Sequence, residues 1–272
     1  MRSIYLDYKE ISPIETAVRE AMLPFLTEHF GNPSSHHALG RACREAVEDA
    51  RVRVARLLGA DRDEIVFTSG GTESNNLAIQ GVALRHAPAA SGHLVISAIE
   101  HPAVLEPARH LESLGYGLTL VGCDSQGTVD PAAIEAAIRP DTVLVSVMHA
   151  NNEIGTVQPI RQIAEVCRAR NVLLHTDAAQ TVGKIPTRAR ELRVDLLSLA
   201  GHKMYAPKGI GALYVRRGIP LQPVLHGAGQ ERGLRAGTEN VPHAIALGRA
   251  ATLAEKPLAA PNDDLATLRD RL

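Results

Sequence analysis

The sequence contains only three cysteines, Cys43, Cys123 and Cys167, an odd number at wide spacing. That pattern excludes a disulfide framework and a metal-knuckle site and is expected of reduced thiols. Charge excess is missing too, since 29 basic residues face 30 acidic ones for a net charge of −1. With no overall basic field to draw the chain to nucleic acid or an anionic membrane, a small-molecule partner is favoured. No run approaches the ~18 consecutive apolar residues of a membrane span. The opening MRSIYLDYKE has no apolar signal-peptide core. Neither a span nor a secretory signal is expected, and the cytoplasm is the default compartment. Low-complexity tracts and solenoid-length repeats are absent.

What is present is a chain of 272 residues, 45% of them hydrophobic. That length suffices for one large domain, or one domain with pieces of a second. From about residue 40, short β-branched apolar runs alternate with longer helical patterns, which predicts an α/β fold: a mostly parallel seven-stranded sheet flanked by helices. The expected strands are 64–67, 94–97, 118–121, 143–148, 172–176, 195–199 and 211–215. Over 44–58, Val47, Ala50, Val54 and Leu57 recur at helical spacing, and Gly59 follows as a stop. Pro102, Pro131 and Pro159 stand near the starts of helical patterns, where a missing N–H costs nothing. Residues 15–248 are expected to form the large domain. Residues 1–14 and 249–272 fall outside this rhythm and are expected to belong to a partial small domain whose remainder is absent from this chain.

In an open parallel sheet, ligands bind beyond the carboxyl ends of the strands, where loops converge and helix N-termini point inward. Five polar loops share that rim: Thr68 to Asn76, Glu100-His101-Pro102, His149 to Glu153, Asp177 to Gln180, and Ala200 to Lys203. Gly70-Gly71-Thr72 opening a helix reads as a phosphate cradle, or more plainly as a helix cap. It is neither a P-loop nor a dinucleotide fingerprint, lacking the Gly-Lys-Ser/Thr of the first and the third glycine of the second. Asp177 reads as an N-cap or as the partner of a protonated pyridine nitrogen. Lys203 reads as a solvated loop lysine or as a Schiff-base amine made nucleophilic by desolvation and cationic neighbours. His101 is a loop histidine, or a flat ring stacked on a cofactor. Their coincidence on one rim favours the functional readings together. His36, His37 and Cys43 lack the ordered spacing of a zinc site.

These blocks resemble a known family. Ala200-Gly201-His202-Lys203, running on to Tyr214, is similar to the pyridoxal-phosphate lysine signature of the class V aminotransferase group, and its cysteine desulfurase branch is the nearest match. The resemblance extends to Gly31-Asn32-Pro33-Ser34-Ser35-His36, to the 68–76 block, Glu100-His101, 151–155, 175–180 and 227–238. It implies the large domain of fold-type I enzymes, with pyridoxal 5'-phosphate on Lys203. It further implies Asp177 at the pyridine nitrogen, Gln180 at the ring hydroxyl, Asn152 on ring and substrate, and His101 stacked on the ring. Gly71, Thr72 and His202 would bind the phosphate, joined by Thr238 from the other subunit of a homodimer. In the reaction so implied, Lys203 moves the α-proton of L-cysteine, a cysteine nucleophile takes the sulfur as a persulfide, and L-alanine leaves. The sulfur serves iron–sulfur cluster assembly or other sulfur transfer, through a sulfur-acceptor or scaffold protein.

Three departures accompany the resemblance. The family's nucleophilic cysteine and carboxylate-binding arginine lie in a part expected to be missing beyond Leu272. Tyr8-Lys9-Glu10-Ile11-Ser12 stands where the family has small residues facing substrate, so Lys9 and Glu10 are expected to crowd or recharge that pocket. Ala200 replaces a serine that contacts the phosphate. Alternative readings are another class V reaction needing no cysteine nucleophile (selenocysteine lyase, aminotransferase or epimerase) and a non-catalytic dimeric scaffold.

Overall fold

The computed structural model describes residues 4–87, 91–259, 267–268 and 270–271. Its centre is a seven-stranded sheet in the order β1-β7-β6-β5-β4-β2-β3. The strands are β1 (Ile65–Thr68), β2 (His93–Ser97), β3 (Gly117–Val121), β4 (Thr142–Ser146), β5 (Leu173–Asp177), β6 (Leu196–Ala200) and β7 (Gly211–Val215). Each lies within two residues of its expected position. Only β7 runs antiparallel to its neighbours, pairing with β1 on one side and β6 on the other.

Side chains alternate between two buried faces, as a sheet covered on both sides requires. Ile65 and Phe67 of β1, Leu197 and Leu199 of β6, and Ala212 and Tyr214 of β7 enter one core. Val66, Leu196, Leu213 and Val215 enter the other. Helices α1 (Thr16–Met22), α2 (Pro24–Thr27), α3 (Ala38–Leu58), α6 (Pro131–Ala137), α7 (Ile160–Ala169), α8 (Ala189–Leu192) and α9 (Val241–Ala259) border the first face, and α4 (Gly71–His86) and α5 (Pro102–Ser113) cover the second. Helix α3 ends where the sequence says it must, at Gly59 in the left-handed region with φ 62°. Pro102 and Pro131 open α5 and α6, whereas Pro159 is the residue before α7. The expected domain boundary at 248/249 falls inside α9, and most of the stretch after residue 259 lies outside the described residues.

Two histidines are built into the sheet interior as neutral bridges. His175 on β5 joins Ser146 of β4 (2.8 Å) to Ser198 of β6 (3.0 Å), and His93 on β2 joins Thr142 of β4 to Thr119 of β3, each at 2.8 Å. Burial pushes the His175 ring down to about 3, so it stays uncharged and both ring nitrogens are satisfied by hydroxyls.

The topology fixes where a ligand sits. The chain leaves β2 outward to the edge strand β3, returns on the other side of β2 as β4, and then proceeds through β5 and β6. The loops after β2 and β4 thus diverge from adjacent strands, opening a crevice at their carboxyl ends. Because β7 is antiparallel to both neighbours, β1 points the same way as β6, and the loop into α4 reaches the same rim.

Candidate active site

A cavity of about 260 Å³ opens at that rim. Eight of the nine residues expected to serve the site line it: Gly71, Thr72, His101, Asn152, Asp177, Gln180, His202 and Lys203. Thr238 does not. It is exposed and borders a separate hollow of about 270 Å³ with Ser69, Arg235 and Glu239.

Asp177, the last residue of β5, forms the floor. It is 6% exposed; Oδ1 accepts from Ala179 N (2.9 Å) and Oδ2 from Asn75 Nδ2 (2.7 Å). Burial raises its affinity for a proton, and these two donors, with His101 and Lys203, oppose that shift. The carboxyl therefore has lone pairs left to accept from a cationic ring N–H at low solvent exposure. The Ala179 contact is a local turn bond, and Asp177 caps no helix, because a turn and not a helix follows β5. Asn75 was quoted in a motif but given no role by sequence. It lies one helical turn beyond Gly71 on α4, is fully buried, and its Oδ1 has no partner among the described residues.

The phosphate-type loop is set by tight backbone contact. A Cβ on Gly211, the first residue of β7, would lie 2.6 Å from Leu199 O and 2.7 Å from Gly70, so only glycine lets β7 press this loop against β6. Gly70 is the N-cap of the 16-residue α4, with φ 152°, and Thr72 is its second helical residue rather than its cap. The first-turn N–H groups of α4 have no acceptor within the helix and face the cavity end. Ala200 lines the wall without a hydroxyl, and its Cβ sits where a Gly71 side chain would meet it at 3.3 Å.

His101 caps α5, its Nδ1 accepting from Ala103 N at 3.0 Å, which leaves the proton of the neutral ring on Nε2. The loop it occupies is tied to the β4 loop twice. Glu100 Oε1 accepts from Ser97 Oγ (2.6 Å) and Met148 N (2.5 Å), and Asn151 Nδ2 donates to Ile99 O (3.1 Å). Glu100 is 5% exposed; burial, reinforced by nearby Asp177, pushes its carboxyl up to about 8. His149, behind the β4 loop, donates from Nδ1 to Thr181 Oγ1 (2.9 Å), whose own proton goes to Ala178 O, and burial pushes its ring down to about 4.

Lys203 ends the 3-10 turn Gly201–Lys203 after β6, with its side chain 13% exposed. Its Nζ donates to the backbone carbonyls of Lys9 (2.7 Å) and Glu10 (2.8 Å). Neighbouring His202 is held below the usual histidine range by burial and by the cations Lys203 and Lys208. The loop carrying Thr238 is anchored from behind by a buried bidentate pair. Arg51 Nη1 and Nη2 donate to Glu231 at 2.6 and 2.8 Å, Phe67 N donates to the same carboxylate (2.9 Å), and the guanidinium lies over the Phe67 ring.

Residues 4–268 match the family described as aminotransferase class-V. Cysteine desulfurase IscS of Dictyoglomus turgidum is 50% identical over 99% of this chain, and IscS of Methanosarcina thermophila 47% over all of it. The chain belongs to the cysteine desulfurase group of the class-V aminotransferase family. It spans 68% and 67% of those two relatives' lengths. A solved NifS-like protein, 39% identical, superposes over 99% of this chain and 74% of its own with a TM-score of 0.95. SspA, solved in complex with cysteine, is 44% identical over 92% and 72% of the two chains with a TM-score of 0.89. The family is pyridoxal-phosphate dependent. The donor set of the cavity fits that group: a buried carboxyl at one end, an amine at the rim, a helix N-terminus, and the unpartnered Asn75 amide oxygen beside them.

Cys43 and Cys167 are buried, Cys123 is exposed, and none lines the cavity. Among the described residues no cluster of side chains is arranged to hold a metal, and no helix is long and apolar enough to cross a membrane.

Proposed function

We propose that this cavity binds pyridoxal 5'-phosphate through Lys203 and activates L-cysteine for removal of its sulfur, leaving L-alanine. The observation that carries the proposal is the convergence of Lys203 and the buried carboxyl of Asp177 on one cavity beside the N-terminus of α4. When bound, the cofactor supplies a ring that stores the charge released when a bond at the substrate α-carbon breaks. Asp177, held by Asn75 and Ala179, pairs with the ring nitrogen and keeps it cationic. Lys203 Nζ moves the α-proton of the substrate. His101 covers the ring face, Gln180 donates to the ring hydroxyl oxygen, and Asn152 orients ring and substrate. Gly71 and Thr72 bind the phosphate through N–H groups and a hydroxyl, with His202 beside them. Thr238 completes the phosphate site of the other subunit in a homodimer, on a loop that Arg51 and Glu231 hold rigid.

The overall reaction breaks the Cβ–Sγ bond of L-cysteine and transfers the sulfur to a thiolate, as a persulfide bound for iron–sulfur cluster assembly or another acceptor. Cys43, Cys123 and Cys167 do not line the cavity, so the thiolate is not assigned to any of them. A cytoplasmic location, a sulfur-acceptor or scaffold partner, and a large domain over 15–248 belong to the same proposal.

The test begins with colour. Purified protein given pyridoxal phosphate is expected to gain visible absorbance, and Lys203→Ala to lack it. Absorbance that never appears, or that persists undiminished in Lys203→Ala, overturns the cofactor assignment. Alanine released from L-cysteine with thiol-reducible sulfur on protein then supports desulfuration, while exchange with a keto acid points to an aminotransferase instead.

A further inference from the structure

The segment from Lys9 to Ser12 is bound to the side chains that the proposed function assigns to the cofactor. Lys203 Nζ donates to the carbonyls of Lys9 and Glu10, and Gln180 Nε2 donates to the same Lys9 carbonyl at 3.1 Å. Lys9 Nζ pairs with Glu153 Oε2 at 2.5 Å, and the other oxygen of Glu153 accepts from Asn152 Nδ2 at 2.7 Å. Three side chains meant for the cofactor are thus engaged by this short segment, two directly and Asn152 through Glu153. Glu10 and Ile11 also line the cavity itself. The segment is seated at its far end by Ser12, whose N–H donates to His202 O (3.2 Å) and whose Oγ donates to the same carbonyl (2.9 Å) and accepts from Tyr205 N (2.9 Å).

This arrangement competes with cofactor attachment by simple donor counting. A free lysine ammonium has three N–H donors and satisfies both carbonyls. Once Nζ is joined to an aldehyde carbon by a double bond, it keeps at most one N–H, so at least one carbonyl loses its partner. Gln180 faces the same choice between the Lys9 carbonyl and a ring hydroxyl oxygen. Lys9, Glu10 and Glu153 are exposed, so water is at hand to take over the released groups.

We infer that residues 9–12 form an autoinhibitory strap that occupies Lys203, Gln180 and Asn152 while the cofactor is away and is displaced when Lys203 takes the cofactor. The inference rests on the assignment of Lys203 as the cofactor amine. It goes further in giving residues 9–12 contacts with Lys203 and Gln180 that are broken by the event that loads the site.

Hydrogen exchange of the peptide covering residues 4–12 tests it, measured on the free protein, on protein loaded with pyridoxal phosphate, and on Lys203→Ala without cofactor. The amides of residues 10–12 are expected to exchange about tenfold faster in the loaded protein and in Lys203→Ala than in the free protein, equivalent to one net hydrogen bond lost. Equal exchange in free and loaded protein overturns the strap, as does a Lys203→Ala variant that protects the segment as well as the free protein does. If pyridoxal phosphate gives no visible absorbance, the cofactor assignment falls separately, and the Lys203→Ala comparison still decides whether Lys203 holds the strap.

Discussion

The floor of the cavity and its mouth are held by different kinds of contact. At the floor, Asp177, Glu100, His149 and Asn75 are buried and hydrogen-bonded to neighbouring elements, with one oxygen of Glu100 and one of Asn75 lacking a partner among the described residues. At the mouth, Lys9, Glu10 and Glu153 are exposed and are held by an ion pair and by bonds to side chains with another use. The floor is built once, during folding, and its charge states are set by desolvation. The mouth exchanges partners with water at little cost. A site of this kind fixes the electrostatics of the bound ring in advance and leaves entry to a weaker element. Three substitutions sharpen or break that contrast.

The largest effect is expected at Glu100. Its carboxyl holds a proton up to about pH 8 in the folded protein against an ordinary value of 4.5. The folded state therefore binds a proton that the unfolded chain has already released, and stability falls as pH rises from about 4.5 to about 8, levelling above that. Glu100→Gln cannot titrate. Its unfolding free energy should match wild type near pH 4.5 and exceed it increasingly toward pH 8, by an amount on the order of a few kcal/mol, with the melting temperature rising in step. Parallel melting curves for the two proteins across that window would mean that the floor is wetter than its burial implies.

Next comes Asp177→Asn. The substitution removes a buried carboxyl whose burial favours the neutral form, so the cofactor-free protein should melt at the same temperature or higher at neutral pH. The cofactor loses a charge-assisted bond, and its affinity should fall roughly ten- to hundredfold, read from the absorbance titration. Stability and binding moving in opposite directions would mark Asp177 as kept for function; a joint loss would make it a structural group.

How much of this was legible beforehand divides along the same line. The seven strands were readable because short β-branched runs alternating with helical patterns point to a mostly parallel sheet covered on both faces, and the strand-end rule then gathered Asp177, His101 and Lys203 without any contact being known. Thr72 was assigned between two roles that the sequence treats alike, and the structure settles only that Gly70, not Thr72, is the cap. The Glu100 tie escaped notice because its partner, the N–H of Met148, is backbone and has no sequence signature. Arg51 and Glu231 are 180 residues apart, so nothing local announces their pairing. The expected crowding by Lys9 and Glu10 was correctly placed but differently made. The two residues reach Lys203 chiefly through their carbonyls, with the Glu10 carboxylate 3.9 Å away, so side-chain identity alone did not disclose the contact.

The smallest effect on stability belongs to Lys9→Ala, and it separates floor from mouth most cleanly. The Lys9–Glu153 pair lies between two exposed side chains, so solvent screens it and removing it should leave the melting temperature within measurement error. The Lys9 carbonyl remains, so Lys203 and Gln180 keep their acceptor, but Glu153 and with it Asn152 are released. If the mouth controls entry, pyridoxal phosphate should be captured several-fold faster by stopped-flow absorbance while the final affinity changes little, because the floor that decides affinity is untouched. An unchanged capture rate would place the barrier to entry elsewhere than in this ion pair. A changed affinity with an unchanged rate would show that floor and mouth are energetically one unit.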